Sequence, residues 1–311
     1  MTISFTPTSF IPLLMAVALA PLLMAAILKV KAFFGGKQGP PWLIKYSTLT
    51  KLLRKGSVYS TSTTFIFKMG PVISFICAFM ALLFFPLAGL PPVLSFHGDV
   101  IMLFYLMGLG RFFTVLAALD TGSPFEGMGA AREVFFSALA EATVFTILVL
   151  FFRISGNLSF AEYFVAGHGI TLWSSSAALI LLVIIALFMI LLTENSRVPV
   201  DDPATHLELT MIHEVMILDH CGPDLALIEM GAFCRMFFYA AFISSLLYPF
   251  SGDFHAINVL IFPAIVTLIY LGVGLVESIT ARFRMAMVPN FILTSFALVF
   301  FAVILTMEFV Q

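Results

Sequence analysis

The sequence TLWSSSAALILLVIIALFMILLT, residues 171–193, contains no charged residue. A transmembrane α-helix needs about 20 predominantly apolar residues. This stretch is therefore predicted to span a membrane, and Glu194 marks the point where it ends.

The composition agrees with this prediction. The chain has 311 residues, of which 61% are hydrophobic and 10% are charged, whereas soluble domains have roughly 45–50% apolar and about 25% charged residues. A soluble globule, a disordered chain and a nucleic-acid-binding protein with a basic patch are excluded. Seven further stretches are apolar enough to span a membrane: about 9–30, 65–89, 99–119, 133–153, 227–249, 256–277 and 289–309. The sequence predicts an all-α polytopic membrane protein, with about eight transmembrane helices in a single domain over residues 1–311.

The charged residues predict the orientation of these helices. The first 98 residues contain eight basic residues and no acid, and most of the basic residues lie in or beside the loop 31–63. Basic residues close to membrane spans remain on the cytoplasmic side, which predicts that both termini lie on the outer (periplasmic) side. The loop 194–226 is also predicted to be cytoplasmic, but it contains seven acids against Arg197 alone. The two loops are expected to pair or to form opposite walls of a polar cavity, or else to be two solvated loops.

The cysteines argue against a redox centre in this chain. Cys77, Cys221 and Cys234 form no C-x-x-C pair, whereas an iron–sulfur cluster typically needs four thiolates. Neither a G-x-G-x-x-G motif nor a phosphate-binding loop is present in the sequence. We expect no cofactor and no metal to be bound by this chain, so any electron carriers would belong to its partners.

Charged residues lie inside predicted spans: Arg111 is in the third and Glu141 is in the fourth, and Glu229, Arg235 and Glu277 lie within or near later span ends. A charge near the centre of a membrane costs roughly 2.5–3.5 kcal/mol on insertion scales, so such residues usually face the interior of the bundle or a hydrated path. Arg111 and Glu141 are expected either to form part of a proton or ion path or to form a static ion pair.

Two cytoplasmic connections are candidate walls of a site. The first runs from Asp120 to Glu133 and is rich in glycine, so that alone it would be an ordinary turn. In the second, prolines follow Glu194 and a short surface helix is predicted from Thr205 onwards. Three histidines spaced by seven residues would share one face of that helix: His206, His213 and His220. Seven helical residues rise about 10.5 Å, too far for two of them to bind one metal ion, so they are expected to relay protons or to face solvent.

The second connection also resembles a known family. The string Glu194-Asn-Ser-Arg-Val-Pro-Val-Asp-Asp-Pro-Ala-Thr-His-Leu-Glu-Leu-Thr-Met-Ile-His-Glu214 is similar to a loop of subunit 1 of respiratory complex I. It is more similar to the related membrane subunits of energy-converting (group 4, formate-hydrogenlyase-type) nickel–iron hydrogenases. Three further stretches share the resemblance: Gly39-Pro40 with Lys51-Leu-Leu-Arg-Lys55 downstream, Leu119-Asp-Thr-Gly-Ser-Pro-Phe125, and Gly129-Ala-Ala-Arg132 with Glu141 nine residues later.

The resemblance implies a non-catalytic subunit in the inner (cytoplasmic) membrane of a prokaryote, which anchors an electron-transfer arm and couples it to proton translocation. The implied partners are the hydrogenase small and large subunits with a NiFe centre, a ferredoxin-like Fe-S subunit and antiporter-like membrane subunits. The coupling residues that the resemblance implies are Asp120, Arg132, Glu141, Glu194, Arg197, Asp201, Asp202, Glu208 and Glu214. The charge inside the third span adds Arg111 to these candidates, and the histidine pattern adds His213. The implied arm-docking residues are Gly39, Pro40, Lys51, Arg54 and Lys55.

Two other functions stay open. The complex I branch uses this subunit as the floor of a quinone cavity, but its loop has a phenylalanine where Val200 follows Pro199 here, and the hydrogenase branch is thought to need no quinone. Quinone binding is therefore the less expected alternative. A stand-alone ion or solute transporter is a third reading, although no internal repeat of the kind common in transporters is evident.

Overall fold

The computed structural model describes residues 4–5, 9–165, 170–174, 176–202, 211–250 and 256–309. Within these residues, eight helices are long and apolar enough to cross a membrane. They are α1 Phe10–Phe34, α3 Phe65–Phe84, α4 Asp99–Asp120, α5 Pro124–Ser155, α7 Ala177–Glu194, α9 Gly222–Leu247, α10 Ala256–Ile279 and α11 Val288–Phe309. The prediction of a helical, multi-pass membrane protein is confirmed.

Shorter elements connect these helices: α2 Ile44–Arg54, α6 Phe160–Phe164, α8 His213–Met216 and a 3-10 turn, Met285–Met287. A two-residue antiparallel pair joins β1 Ser4–Phe5 to β2 Leu94–Ser95. Because the number of spans is even, the first residue of α1 and the last of α11 lie on the same side of the bundle. That this side is the outer one remains a prediction from the basic loops.

Four predicted span boundaries were wrong by five to nine residues. Helix α5 begins at Pro124 rather than near 133, α9 begins at Gly222 rather than 227, and α7 begins at Ala177 rather than 171. Helix α3 ends at Phe84 rather than near 89. Both α5 and α9 have a proline in the first turn. Proline is tolerated there because N–H groups of the first turn have no hydrogen-bond partner within the helix. The early start of α5 places Arg132 and Glu133 inside a helix and not in the loop before it.

Helix α9 forms the centre of the bundle. Its most apolar window is 78% buried, compared with 28% for α11, and Phe237, Phe238 and Phe242 are fully buried along it. Around it, α3 and α4 pack so closely that a Cβ added at Gly70 would lie 2.7 Å from the Cβ of Ala117. Small residues allow helices to approach in this way within a membrane protein.

The basic loop 31–63 contains a helix that the sequence did not predict. Helix α2 packs against α1 and α9, since Tyr46 donates a hydrogen bond to the carbonyl of Ala18 and the Lys45 ammonium lies 5.6 Å from the centroid of the Phe233 ring. The loop therefore forms part of the wall of the bundle.

The basic loop 31–63 and the loop 194–226, which we call the acidic loop, are in contact, which was one of the predicted alternatives. Gly222 adopts a left-handed backbone (φ +57°), and a Cβ there would lie 2.8 Å from the carbonyl oxygen of Gly56. The Val58 N–H donates to the Cys221 Sγ over 3.3 Å, and the Lys31 ammonium lies 3.9 Å from Asp202. A close backbone approach, a hydrogen bond and an ion pair therefore join the two loops.

The predicted helix of the acidic loop is shorter than expected. Helix α8 contains only His213–Met216, while His206 and Glu208 lie outside the described residues. Because the helix ends at Met216, His213 and His220 do not lie on one helix face, and that prediction was wrong.

Candidate functional site

Four charged side chains meet inside the bundle. The Arg111 Nη1 of α4 lies 2.8 Å from the Glu141 Oε1, and its Nε lies 3.5 Å from the Glu133 Oε1. Its Nη2 pairs with the Glu194 carboxylate at the end of α7. We call Arg111, Glu133, Glu141 and Glu194 the carboxylate cluster. The ion pair predicted between Arg111 and Glu141 is present, and two further acids share the same guanidinium.

Helix geometry explains why the acids need this arginine. Glu194 is the last residue of α7, where the partial negative charge of the helix end disfavours a carboxylate. Glu133 and Glu141 lie about two turns apart on α5, so that one guanidinium with its five N–H donors can reach both. The cluster thus joins α4, α5 and α7 through a single cation.

Two side chains of α9 lie beside the cluster. Arg235 is 8% exposed and interacts electrostatically with Glu133, Arg111 and Glu194. Tyr239, one turn further along, interacts with Glu194 and Arg111. The sequence-based list of coupling residues omitted Glu133, Arg235 and Tyr239. The position of Arg235 within a span was a signal for it, whereas Glu133 lay on a misplaced span boundary.

A cleft gives access to the cluster from the side of the bundle. It has a volume of about 350 Å³, and its floor includes Arg111, Glu141, Glu194 and Tyr239. Exposed apolar side chains of α4 and α5 form its rim, including Tyr105, Leu109, Phe112 and Phe145. The Glu141 side chain is 49% exposed within it. An acid of the cluster is therefore reachable at membrane depth.

A second group of charges holds the acidic loop. The Lys31 ammonium lies 3.1 Å from the Glu277 Oε2, and the Arg197 Nη1 lies 3.4 Å from the Oε1 of the same carboxylate. The Arg282 Nη2 lies 2.8 Å from the Asp201 Oδ1. With Asp202, which pairs with Lys31, these residues form what we call the balanced cluster: Lys31, Arg197, Asp201, Asp202, Glu277 and Arg282.

Asp201 is the most heavily bonded acid of this group. It is 1% exposed, and its Oδ2 accepts from the backbone N–H groups of Ile212 and His213 over 3.1 and 3.2 Å. Its Oδ1 accepts from the Asp202 N–H over 3.0 Å and pairs with Arg282. Four donors use the acceptor capacity of a carboxylate, so Asp201 fixes the loop to residues 211–213 and to the connection before α11.

Other predicted site residues lie in structural positions. Asp120 accepts from the backbone N–H and the hydroxyl of Thr64 over 2.6 and 2.8 Å, at the start of α3. Arg132 donates to the Met211 carbonyl over 2.9 Å, and Glu214 lies in α8. Their coupling roles, and that of Glu208 outside the described residues, remain predictions.

The predicted docking residues lie along the connection after α1. Lys51 and Arg54 are exposed in the last turn of α2, and the exposed Lys55 follows them. Gly39 lies against Lys29, where a Cβ would be 3.1 Å from the Lys29 Cγ, and Pro40 follows it. The exposed basic side chains are accessible to a partner, and their docking role remains a prediction.

The two described histidines of the acidic loop are neutral near pH 7. Burial, reinforced by Arg235, lowers the pKa of His213 to about 3 although Asp201 opposes the shift. Burial lowers the pKa of His220 to about 4, and its ring stacks on Phe67 with centroids 4.0 Å apart. His220 is 5% exposed, so the expectation of a solvent-facing residue was wrong there. Among the described residues, no group of three or more His, Cys, Asp or Glu is arranged to hold a metal ion.

An apolar groove lies between α1 and α10. It has a volume of about 590 Å³ and is lined by residues that include Phe33, Phe34, Trp42 and Gly272. The Lys29 ammonium lies at its edge, 4.3 Å from the centroid of the Trp42 ring. A Cβ added at Gly272 would meet no atom within 4 Å, so this position is open to the groove.

Comparisons with known proteins agree with the resemblance seen in the sequence. The family described as NADH dehydrogenase matches residues 8–308. Hydrogenase-4 component C of Escherichia coli K12 is 28% identical over 75% of this chain and 72% of its own length. Formate hydrogenlyase subunit 4 of the same organism is 25% identical over 92% of this chain and 93% of its own length.

A further relative and a solved structure are also similar to this chain. NADH-ubiquinone oxidoreductase chain 1 of Triticum aestivum is 25% identical over 78% of this chain and 76% of its own length. A chain from the structure of the membrane-bound sulfane sulfur reductase, an archaeal respiratory membrane complex, superposes with a TM-score of 0.80 at 18% identity, and covers 96% of this chain and 97% of that one. At that identity the structural likeness concerns the fold alone.

Proposed function

The chain belongs to the NADH dehydrogenase family, and from this premise we propose that it is the membrane-anchor and coupling subunit of a membrane-bound nickel–iron hydrogenase of the formate-hydrogenlyase type. In this proposal it lies in the inner membrane of a prokaryote. It docks the hydrogenase small and large subunits and a ferredoxin-like Fe-S subunit, and it contacts antiporter-like membrane subunits. The hydrogenase-4 and formate hydrogenlyase relatives support this assignment.

The observation that carries the coupling role is the carboxylate cluster. Three acids share one bonded arginine, and one of the three, Glu141, is half-exposed in a cleft at membrane depth. A group of charges with surplus carboxylates can bind an additional proton and release it when nearby charges change. Redox events in the docked arm would alter the charges around the acidic loop, and the cluster would pass that change to the pumping subunits as a proton.

The test is Glu141→Gln in the assembled complex reconstituted into liposomes. We expect hydrogen turnover to continue while ion translocation per hydrogen molecule falls strongly. Glu162→Gln on α6, outside both clusters, is the matched control and should leave the ratio unchanged. Undiminished translocation by the Glu141 variant would remove this residue from the mechanism.

The docking role has its own test. Helix α2 and the residue after it expose three basic side chains, Lys51, Arg54 and Lys55. Reversing the charge of Arg54 and Lys55 should therefore weaken the binding of a hydrophilic arm. Co-purification of the hydrogenase subunits with a chain that carries Arg54→Glu and Lys55→Glu measures the effect. Retention equal to that of the unmodified chain would argue against docking at this helix.

The apolar groove supports quinone binding as a second candidate function. The groove is formed by α1, α10 and Trp42 of the loop 31–63, and most of its lining residues are apolar. Gly272→Leu would fill the groove from an open position. Quinone-dependent activity that this variant abolishes would favour the alternative, and activity that is independent of added quinone would exclude it.

A further inference from the structure

A small, partly open cavity lies between the carboxylate cluster and the balanced cluster, because residues of both clusters line it. Six of its lining residues are polar: Glu133, Ser137, Thr193, Glu194, Ser196 and Asp201. Its volume is about 10 Å³, which is close to the minimum that holds one water molecule. The size and the polar lining together describe a site for a single buried water.

Hydrogen bonding around the cavity leaves suitable partners for that water. Glu133 and Glu194 each pair with Arg111 through one carboxylate oxygen, which leaves the second oxygen of each for a further donor. Asp201 is already served by four donors. A water between the clusters would therefore donate its two hydrogens to Glu133 and Glu194 rather than to Asp201.

The group that would donate a hydrogen bond to the water is the Ser196 hydroxyl. Helix α7 ends with the Arg197 N–H bonded to the Leu192 carbonyl over 2.8 Å and the Ser196 N–H bonded to the Thr193 carbonyl over 3.2 Å. This is the Schellman arrangement, in which the residue at the position of Ser196 is usually glycine. Ser196 has φ +50°, a conformation that is strained for a side-chain-bearing residue. Ser196 is 8% exposed and lines the cavity. A serine in this strained position is therefore consistent with a hydroxyl that binds a water there.

We propose that this cavity holds one water molecule, positioned by the Ser196 hydroxyl, which bridges Glu133 and Glu194 and carries a proton between them. The proton passes from one carboxylic acid to the water oxygen as a water proton passes to the other carboxylate, so that the number of protons is conserved. Ser196 acts as a positioning residue. The inference rests on the proposed coupling function and adds the route by which acids on α5 and α7 exchange a proton.

Ser196→Gly tests the inference without threatening the fold, because glycine suits the left-handed backbone. We expect its thermal stability to equal or exceed that of the unmodified protein, while ion translocation per hydrogen molecule in the reconstituted complex falls by roughly tenfold. Ser196→Ala, which keeps the strain and lacks the hydroxyl, should show the same loss of translocation. Ser196→Thr, which retains a hydroxyl, should restore part of it.

Translocation by both the glycine and the alanine variants at the level of the unmodified complex would overturn the inference. Glu194→Gln measured in parallel separates this outcome from failure of the proposed function. Loss of translocation in Glu194→Gln alone would reject the water bridge and keep the coupling role, whereas normal translocation in all of these variants would reject both. A map of the complex that resolves buried waters should also show one within hydrogen-bonding distance of Glu133 and Glu194, and an empty cavity in such a map would contradict the inference.

Discussion

The two charge clusters differ in how many cations each offers to its carboxylates. In the balanced cluster three cations serve three acids. In the carboxylate cluster three acids bond to Arg111 alone, with Arg235 nearby but outside hydrogen-bonding contact among the described pairs. Both clusters are largely buried. The balanced cluster includes residues of the acidic loop, and the carboxylate cluster includes Glu194, the last residue of the helix before that loop.

This difference separates a structural role from a reactive one. A buried charge whose partners are complete is costly to change, because removing one partner leaves the other unpaired in a poorly solvated site. The balanced cluster therefore holds the acidic loop against α1 and α10. The carboxylate cluster has surplus negative charge and one half-exposed acid, which is why the proposed coupling role is assigned to it.

The largest effect is expected for Arg111→Met. This change removes from Glu133, Glu141 and Glu194 the cation that bonds all three, and should lower the free energy of unfolding by about 3–5 kcal/mol. Thermal unfolding of the purified subunit and its yield in the assembled complex would measure the loss. Arg111→Lys keeps the charge and should recover part of the stability, and an Arg111→Met protein as stable as the unmodified one would refute the proposed geometry.

A slightly smaller loss is expected for Glu277→Gln in the balanced cluster. The Glu277 side chain is fully buried and serves both Lys31 and Arg197. Its neutralisation leaves Lys31 and Arg197 with weaker acceptors, which should lower the free energy of unfolding by about 3 kcal/mol. This is the lower end of the range for breaking a buried ion pair, because Lys31 is partly exposed and can recover hydration. Denaturation in detergent is the measurement, with hydrogen turnover as a check that any surviving complex is active.

Acid should destabilise the protein through its buried histidines. The folded pKa of His220 is about 4, below the usual value of about 6.5, so the unfolded chain binds more protons in this range. The contribution of His220 to stability is complete above pH 6.5 and decreases as the pH falls from 6.5 towards 4, by up to about 1.4 kcal/mol per pH unit. His220→Phe keeps the stack on Phe67 and should flatten this part of the pH profile. An unchanged profile would show that His220 does not set it.

The smallest effect on stability is expected for Glu141→Gln. The side chain is half-exposed and belongs to the cluster with surplus acids, so its neutralisation should change the free energy of unfolding by less than about 1 kcal/mol. The comparison with Glu277→Gln is informative, because both variants replace an ion-paired glutamate on a membrane-spanning helix by glutamine. Equal destabilisation by the two would mean that the clusters do not differ in the way described here.

The sequence predicted the spans well because twenty apolar residues in succession leave few alternatives. The start of α5 was misplaced because Glu133 was assigned to the edge of a loop, although Arg111 of another helix pairs with it inside the bundle. The pairing of Arg111 with Glu141 could be inferred because both interrupt apolar runs. The pairing of Glu194 with the same guanidinium could not be inferred, because it depends on how α7 packs beside α4 and α5. Helix α2 was missed because its helical character is supported by contacts with α1 and α9 rather than by a strong apolar pattern.

The central claim is that the carboxylate cluster gains and loses a proton as the attached redox partner turns over. Infrared difference spectroscopy of the intact complex, recorded between its oxidised and reduced states, tests this most directly. A carboxylic acid signal should appear in the difference spectrum, disappear in Glu141→Gln or Glu194→Gln, and persist in Glu162→Gln. A difference spectrum in which the carboxyl region is the same with and without the cluster acids would contradict the account.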